Sequence, residues 1–452
     1  MAQLKRDLGL WSAAAIVVGT VIGSGIFLVP KTMVNNVGSP GMVLFVFLFG
    51  GLLSLAGALT YAELAAMLPE AGGEYVYLRE AYGPLWAFIY GWTQLLVAKS
   101  GSIATLATGF FLYMTNFFPE LDKVITSVNV PLLGLLEIRN GQLFAIVVIG
   151  LLGLLNYFGV RIGGNVQVIV TIIKVLAIVA IILVGLFATS GTTANFSTSV
   201  PAVGGVAGFF AALVAALWAY DGWNNVSMVA SEVKNPERNL PLALIIGTFA
   251  VIVIYMLTNV AYFYVLSADA VGTSDRVAGE MMRRIFGAPG AALVSVAAMI
   301  SIFAALNGSI LTGARVPFAM ARDGLMFRAV GEIHPKYFTP ANSIIVLSIW
   351  SMLITLTGRY DDLFNLVIFS SWILYGMATA SVLVLRHKRP GLARPYKTLG
   401  YPIVPIVFVL VAIALLASTY LSRPRESQMG LVIILVGLPF YFYWKRKADL
   451  SS

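Results

Sequence analysis

The sequence predicts an all-α membrane protein of twelve transmembrane helices. Three observations carry the prediction: scarce charge, recurring long apolar runs, and interruptions inside two of those runs. Of 452 residues, 59% are apolar and only 11% are charged, against about 25% charged in an average soluble domain. Apolar runs fall near 10–35, 41–67, 84–117, 141–160, 163–189, 205–231, 240–266, 289–320, 342–358, 360–386, 401–421 and 428–444. Such runs suit the roughly 30 Å of hydrocarbon in a bilayer. Backbone polar groups find no partner in lipid, so spanning segments are helices or strands of a closed barrel. These runs are continuous rather than alternating, which excludes the barrel.

Lys5, Arg6 and Asp7 precede the first run. That run is too long for a signal peptide and lacks a small-residue cleavage site, so it reads as the first span. With the amino terminus inside, Lys5, Arg6, Arg79, Arg161, Lys234, Arg238, Arg322, Arg328, Lys336 and the clusters at 386–397 and 445–447 are cytoplasmic. About eighteen basic residues then lie inside and about nine outside, the positive-inside bias. The net charge of +9 thus orients a chain in a membrane and does not mark a nucleic-acid partner. Loops reach only about twenty residues, too short for a separate soluble domain. Cysteine is absent, which excludes disulfides, thiolate metal sites and cysteine nucleophiles. No cofactor is expected.

The first run is interrupted at Gly19-Thr20-Val21-Ile22-Gly23-Ser24-Gly25-Ile26-Phe27, where each glycine costs a helix about 1 kcal/mol relative to alanine. The sixth is interrupted at Trp218-Ala219-Tyr220-Asp221-Gly222-Trp223-Asn224-Asn225. Non-helical backbone survives at bilayer depth only when buried in protein or lining a cavity. A single Gly-x-x-x-Gly spacing serves equally well for close helix contact, but two breaks at corresponding positions do not reduce to that. If 10–189 holds spans 1–5 and 205–388 holds spans 6–10, the halves cross in opposite senses, and paired breaks mark a midplane site with alternating access. Residues 1–9 form an amino-terminal tail, 401–444 carry two further helices, and 445–452 form a carboxy-terminal tail.

A helix restarting at Gly25-Ile26 offers unpaired N–H groups and a positive dipole end, a carboxylate site without a basic side chain. A half-helix ending near Trp218-Ala219 offers carbonyls to an ammonium. Together they describe the two ends of a zwitterionic α-amino acid. Lys174 sits mid-span, and an ionisable residue at that depth is a functional candidate; it would supply a fixed positive charge where a coupling cation otherwise binds. Its expected partners are the carbonyls near Gly19 and Thr20, and Ser309 or Thr312. Lys99 divides between a structural partner and a pathway role. Asp221 reads first as an N-cap of the second half-helix and second as a contact for a cationic substrate. Trp218, at the edge of the break, reads as a gate. Gly101, Ser102, Asn307, Ser309 and Ser371 are small residues near the breaks, which favours neutral substrates.

These residues are similar to those of the amino acid–polyamine–organocation (APC) superfamily, and more narrowly resemble its L-amino-acid transporter branch, the light subunits of heteromeric transporters and their bacterial relatives. The resemblance runs through Gly19–Phe27, then Tyr61-Ala62-Glu63-Leu64 to Pro69-Glu70-Ala71-Gly72-Gly73-Glu74-Tyr75. It continues through Trp218–Asn224, Glu232-Val233-Lys234-Asn235-Pro236-Glu237, and Leu385-Arg386-His387-Lys388-Arg389-Pro390 to Arg394-Pro395. It implies a leucine-transporter-like 5+5 inverted repeat with helices 1 and 6 broken, plus two extra helices, and sodium-independent amino-acid exchange. By resemblance, amides of Ser24, Gly25 and Ile26 take the substrate carboxylate, and carbonyls of Val21, Trp218, Ala219 and Asp221 take its amine. Lys174 stands in for sodium. The light subunits bond a heavy chain through a cysteine that is lacking here, so the expectation is a stand-alone protein of a bacterial inner membrane with both termini cytoplasmic.

Three other readings compete. A membrane-embedded enzyme lacks a base, since the histidines His334 and His387 fall in loops. A channel would show a charge ring or repeated filter. Proton-coupled symport on the same scaffold needs a buried carboxyl, for which Asp221 and Glu63 are the candidates.

Overall fold

The structure, a computed structural model, describes residues 4–130, 134–357 and 360–449. The tips of the expected tails (1–3 and 450–452) and the side chain of Arg161 lie outside the described residues. Each apolar run carries a helix. Among the described residues ten helices are long and apolar enough to cross a membrane, and the bent pair Leu10–Val21 and Gly25–Val37 makes up to eleven. The remaining apolar helix, Ala341–Thr355, has 15 residues, fewer than the roughly 20 that a full crossing takes.

The helices present apolar side chains outward. On Asn140–Tyr157, Leu143, Val147, Leu151 and Leu154 are exposed along one stripe, while Ala145, Val148, Ile149, Leu152 and Asn156 are buried. A soluble helix reverses this polarity; here the outer stripe faces lipid. The described chain departs from all-α in one hairpin and in an isolated parallel bridge between Leu8 and Val233. Val124–Val130 and Gly134–Arg139 form an antiparallel hairpin. The β-branched residues Val124, Ile125, Thr126 and Val128 suit a strand, a signal overshadowed by the apolar runs on either side.

The first span breaks after Val21. Ile22 leaves helical geometry at ψ 89° and the chain restarts at Gly25 with a 40° bend. Its leading half packs on the long helices Pro236–Val265, Val160–Leu186 and Ala288–Gly313, whereas its trailing half packs on Gly205–Tyr220. The sixth span is helical only to Tyr220. Asp221 turns extended, Gly222 takes φ +104°, which glycine tolerates best, and a 3-10 segment follows over Asn225–Glu232. Pro236 then opens the next helix at its first position, where its missing N–H is harmless.

Candidate functional site

The two breaks face each other. Thr20 Oγ1 lies 3.0 Å from the Gly222 carbonyl and 2.7 Å from its own helix's Ile16 carbonyl. A Cβ on Gly25 would stand 2.5 Å from Ala219 Cα, so a side chain at Gly25 cannot coexist with this approach. Around the junction lies a small cavity, lined by Thr20, Val21, Gly23, Ser24, Gly25, Ser102, Leu106, Trp218, Asp221, Gly222, Asn225 and Ser309.

Of the residues picked from sequence, Ser24, Gly25, Val21, Trp218, Asp221, Ser102 and Ser309 share that cavity. Gly25 and Ile26 open the restarted helix, and first-turn amides have no acceptor within their own helix. Three of the residues expected in the side-chain pocket lie apart from it. Asn307 is fastened between helices: its amide donates to Gln167 Oε1 at 2.9 Å, and its Oδ1 accepts from Asn156 at 2.9 Å. Gly101 faces Val367, whose Cγ2 would lie 2.7 Å from a Cβ there. Ser371 is buried and absent from the lining.

Two further expectations change. Asp221 does not cap the second half: the 3-10 segment starts at Asn225 with Asn224 as its cap residue, and Asp221 Oδ1 accepts from the Tyr375 hydroxyl at 3.0 Å. Lys174, fully buried, donates to the Gly19 and Ile22 carbonyls at 2.5 Å each and approaches the Ser301 carbonyl at 3.4 Å. Its contact on helix 288–313 is thus Ser301, whose hydroxyl also donates to Ile22 at 3.0 Å, rather than Ser309 or Thr312. One helical turn separates Thr312 from Ser309, and Thr312 donates back to Gly308.

Sequence reasoning missed Tyr255. Its hydroxyl lies 2.9 Å from both the Val21 and Ala219 carbonyls. A hydroxyl has one proton, so it bridges the broken helices while serving one carbonyl at a time. The signal was a lone polar tip in the middle of an apolar run. Lys99, just past a π-helical turn at Gln94–Ala98, donates to Asn225 Oδ1 at 2.6 Å. Farther along, Arg315 and Glu232 form a fully buried bidentate pair at 2.8 and 3.0 Å, the geometry in which guanidinium binds carboxylate best. The Leu8 amide donates to the Glu232 carbonyl at 3.0 Å, and Lys234 donates back to Leu8 at 2.8 Å. Glu63, a symport candidate by sequence, accepts from Arg386 at 2.7 and 2.9 Å and from Thr398 twice. That carboxylate is an anchor between the second span and the loop after the tenth run. No group of three or more metal-ligating side chains occurs among the described residues.

A family model described as amino acid permease matches residues 8–438. The chain is 34% identical over 450 residues to the serine/threonine exchanger SteT of Bacillus subtilis, covering 98% of each. It is 34% identical over 443 residues to the b(0,+)-type amino acid transporter 1 of Mus musculus, covering 97% of this chain and 88% of the relative. It is 32% identical over 450 residues to the cystine/glutamate transporter of Homo sapiens, covering 98% and 87%. With the match running through both breaks and almost every apolar helix, this multi-pass membrane protein belongs to the amino acid permease family of the APC superfamily.

Proposed function

We propose that the chain is a sodium-independent exchanger of neutral L-amino acids, working by alternating access. The observation that carries this reading is Lys174. Its ammonium sits on the Gly19 and Ile22 carbonyls freed at the first break and reaches Ser301 on the eighth span. A permanent cation there does the joining that a dissociable metal ion would otherwise do, so transport needs no sodium. The substrate carboxylate meets the amides of Ser24, Gly25 and Ile26. The substrate ammonium meets the carbonyls of Val21, Trp218, Ala219 and Asp221; each carbonyl has two lone pairs, so the Tyr255 hydroxyl leaves room for it. Trp218 closes over the substrate as a gate.

The small cavity and its hydroxyl-bearing wall of Thr20, Ser102 and Ser309 favour small neutral side chains. A relative named for serine and threonine exchange supports the same choice. The architecture proposed with this function is twelve spans, Ala341–Thr355 among them, with five and five as inverted halves. Both termini face the cytoplasm of a cell membrane, and no heavy chain is attached through a disulfide. Proton-coupled symport is the second reading, and with Glu63 engaged by two arginines Asp221 is what remains of the two carboxyls expected for it.

The test is purified protein in liposomes loaded with unlabelled serine, with labelled serine outside and choline in place of sodium. Uptake should depend on the internal serine and be indifferent to sodium. Uptake that stops without sodium, or that proceeds equally into empty liposomes, would sink the reading.

A further inference from the structure

Beside the sixth-span break lies a buried polar cluster centred on a carboxyl that substrate binding does not use. Glu74 opens the helix Glu74–Tyr82, in the connection between spans 40–67 and 84–114, and is fully buried. The start of that helix is pressed onto the 3-10 segment: the Gly72 amide donates to the Met228 carbonyl at 2.9 Å, and a Cβ on Gly73 would lie 3.0 Å from Met228 N. The Glu74 carboxyl receives the Tyr90 hydroxyl at 2.9 Å and the Asn224 side-chain amide. The titratable and charged groups facing it are Tyr61 from the second span, Tyr77 from its own helix, Tyr90 and Lys99 from the third, and Tyr375 from the tenth, while Asp221 from the sixth faces the same Lys99.

Two carboxyls therefore share one ammonium. Lys99 is bonded to Asn225, and Asp221 stands at the cavity wall with Tyr375. With Glu74, Asp221 and Lys99 ionised the cluster carries one negative charge too many, and a buried unpaired ion is strongly disfavoured. A proton on Glu74 cancels it. The neighbouring amide is built to take that proton's hydrogen bond. Asn224 Oδ1 is buried without a donor, and turning the amide over, an assignment the hydrogen-bond network must make, brings it onto the carboxyl. Burial also pushes the Glu74 carboxyl up to about 7, against the opposing pull of Asn224, Tyr90 and Lys99.

We propose that Glu74 is a proton-binding site, and that the carrier turns over with Glu74 protonated and hydrogen-bonded to the Asn224 oxygen. The proposal rests on the transport reading above. It concerns the rate of the cycle and moves no proton across the membrane.

The experiment is serine exchange in proteoliposomes held at the same pH on both sides. Between about pH 6 and about pH 8, the protonated fraction of a group titrating near 7 falls from about 0.9 to about 0.1. Wild-type exchange should fall about tenfold in step with it. Glu74→Gln, which carries the uncharged form permanently, should stay within about twofold of its own rate across that range. Tyr90→Phe removes a donor that favours the carboxylate and should move the wild-type midpoint upward. A flat wild-type profile, or a Glu74→Gln profile like that of wild type, overturns the proposal. So does an unmoved midpoint in Tyr90→Phe should the glutamine variant fail to fold. Absence of serine exchange at every pH would refute the transport reading instead. In that event, infrared difference spectra of the purified wild-type protein in lipid decide the proton alone: a carboxylic C=O band lost as pH is raised supports it, and no such band overturns it.

Discussion

A methyl group at Gly25 tests whether the two broken helices must touch. In Gly25→Ala the new Cβ would lie 2.5 Å from Ala219 Cα, 2.8 Å from Ala219 Cβ and 3.2 Å from Ala219 N. Carbon atoms rest about 3.5–4.0 Å apart, so the half-helices would have to separate by roughly 1 Å. The obstacle is backbone, which cannot rotate aside as a side chain does. Overpacking of this kind costs about 1–3 kcal/mol, which corresponds to roughly five- to 150-fold in an equilibrium or rate. Gly25→Val, larger and β-branched, should abolish exchange. The control is Gly41→Ala, where a Cβ would meet nothing within 4 Å. The assay measures labelled-serine exchange and thermal melting in detergent for each variant. Melting matters because a folded but inactive Gly25→Ala separates loss of the site from loss of the protein. Wild-type KM and exchange rate in Gly25→Ala would refute the close approach and, with it, the carboxylate site built on these amides.

Further expectations follow from other contacts. Lys174→Ala should lose most exchange whether or not sodium is present; activity rescued by sodium would instead reveal a metal site that the ammonium merely covers. Trp218→Ala should lower turnover by about a hundredfold, as misplaced substrates do, with protein abundance retained, and wild-type rates would return Trp218 to packing. Tyr255→Phe removes a hydrogen bond of about 0.5–1.5 kcal/mol; exchange should fall by about two- to twelvefold, and an unchanged rate would mean the bridge is incidental. Asn307→Ala removes the donor to Gln167 Oε1 and leaves the Asn156 amide with only the Leu152 carbonyl, so the melting temperature should drop, consistent with about 1–3 kcal/mol. The ranking of competing amino acids should not change, and a changed ranking would put Asn307 back in the pocket.

The helices were readable because lipid imposes one solution on the backbone, and each apolar run carries its helix. The breaks were readable too, since Gly23, Gly25 and Gly222 stand where a helix former belongs. What the string of residues conceals is which side chain faces which neighbour. Asn307 and Ser309 are two residues apart on one helix, yet Ser309 reaches the cavity and Asn307 is turned to Asn156 and Gln167. Lys174 was legible by depth alone, but its contact moved from Ser309 to Ser301, about two helical turns away. Such a choice depends on how two helices are staggered, which no local pattern encodes. Glu74 was hidden differently. It lies in a polar connection where carboxylates are ordinary, and only the folded chain reveals that helices close over it.

The ammonium of Lys174 is bonded to the chain. Unlike an ion that arrives from one side and departs to the other, it brings no free energy with it on any turn of the cycle. A carrier joined in this way has nothing to spend except the unequal distribution of its own amino acids. If it exchanges one for one, as proposed, it can trade one for another until their ratios across the membrane agree, but it cannot raise their total. The quantity such a protein controls is the composition of the pool, and its size must be set by something else.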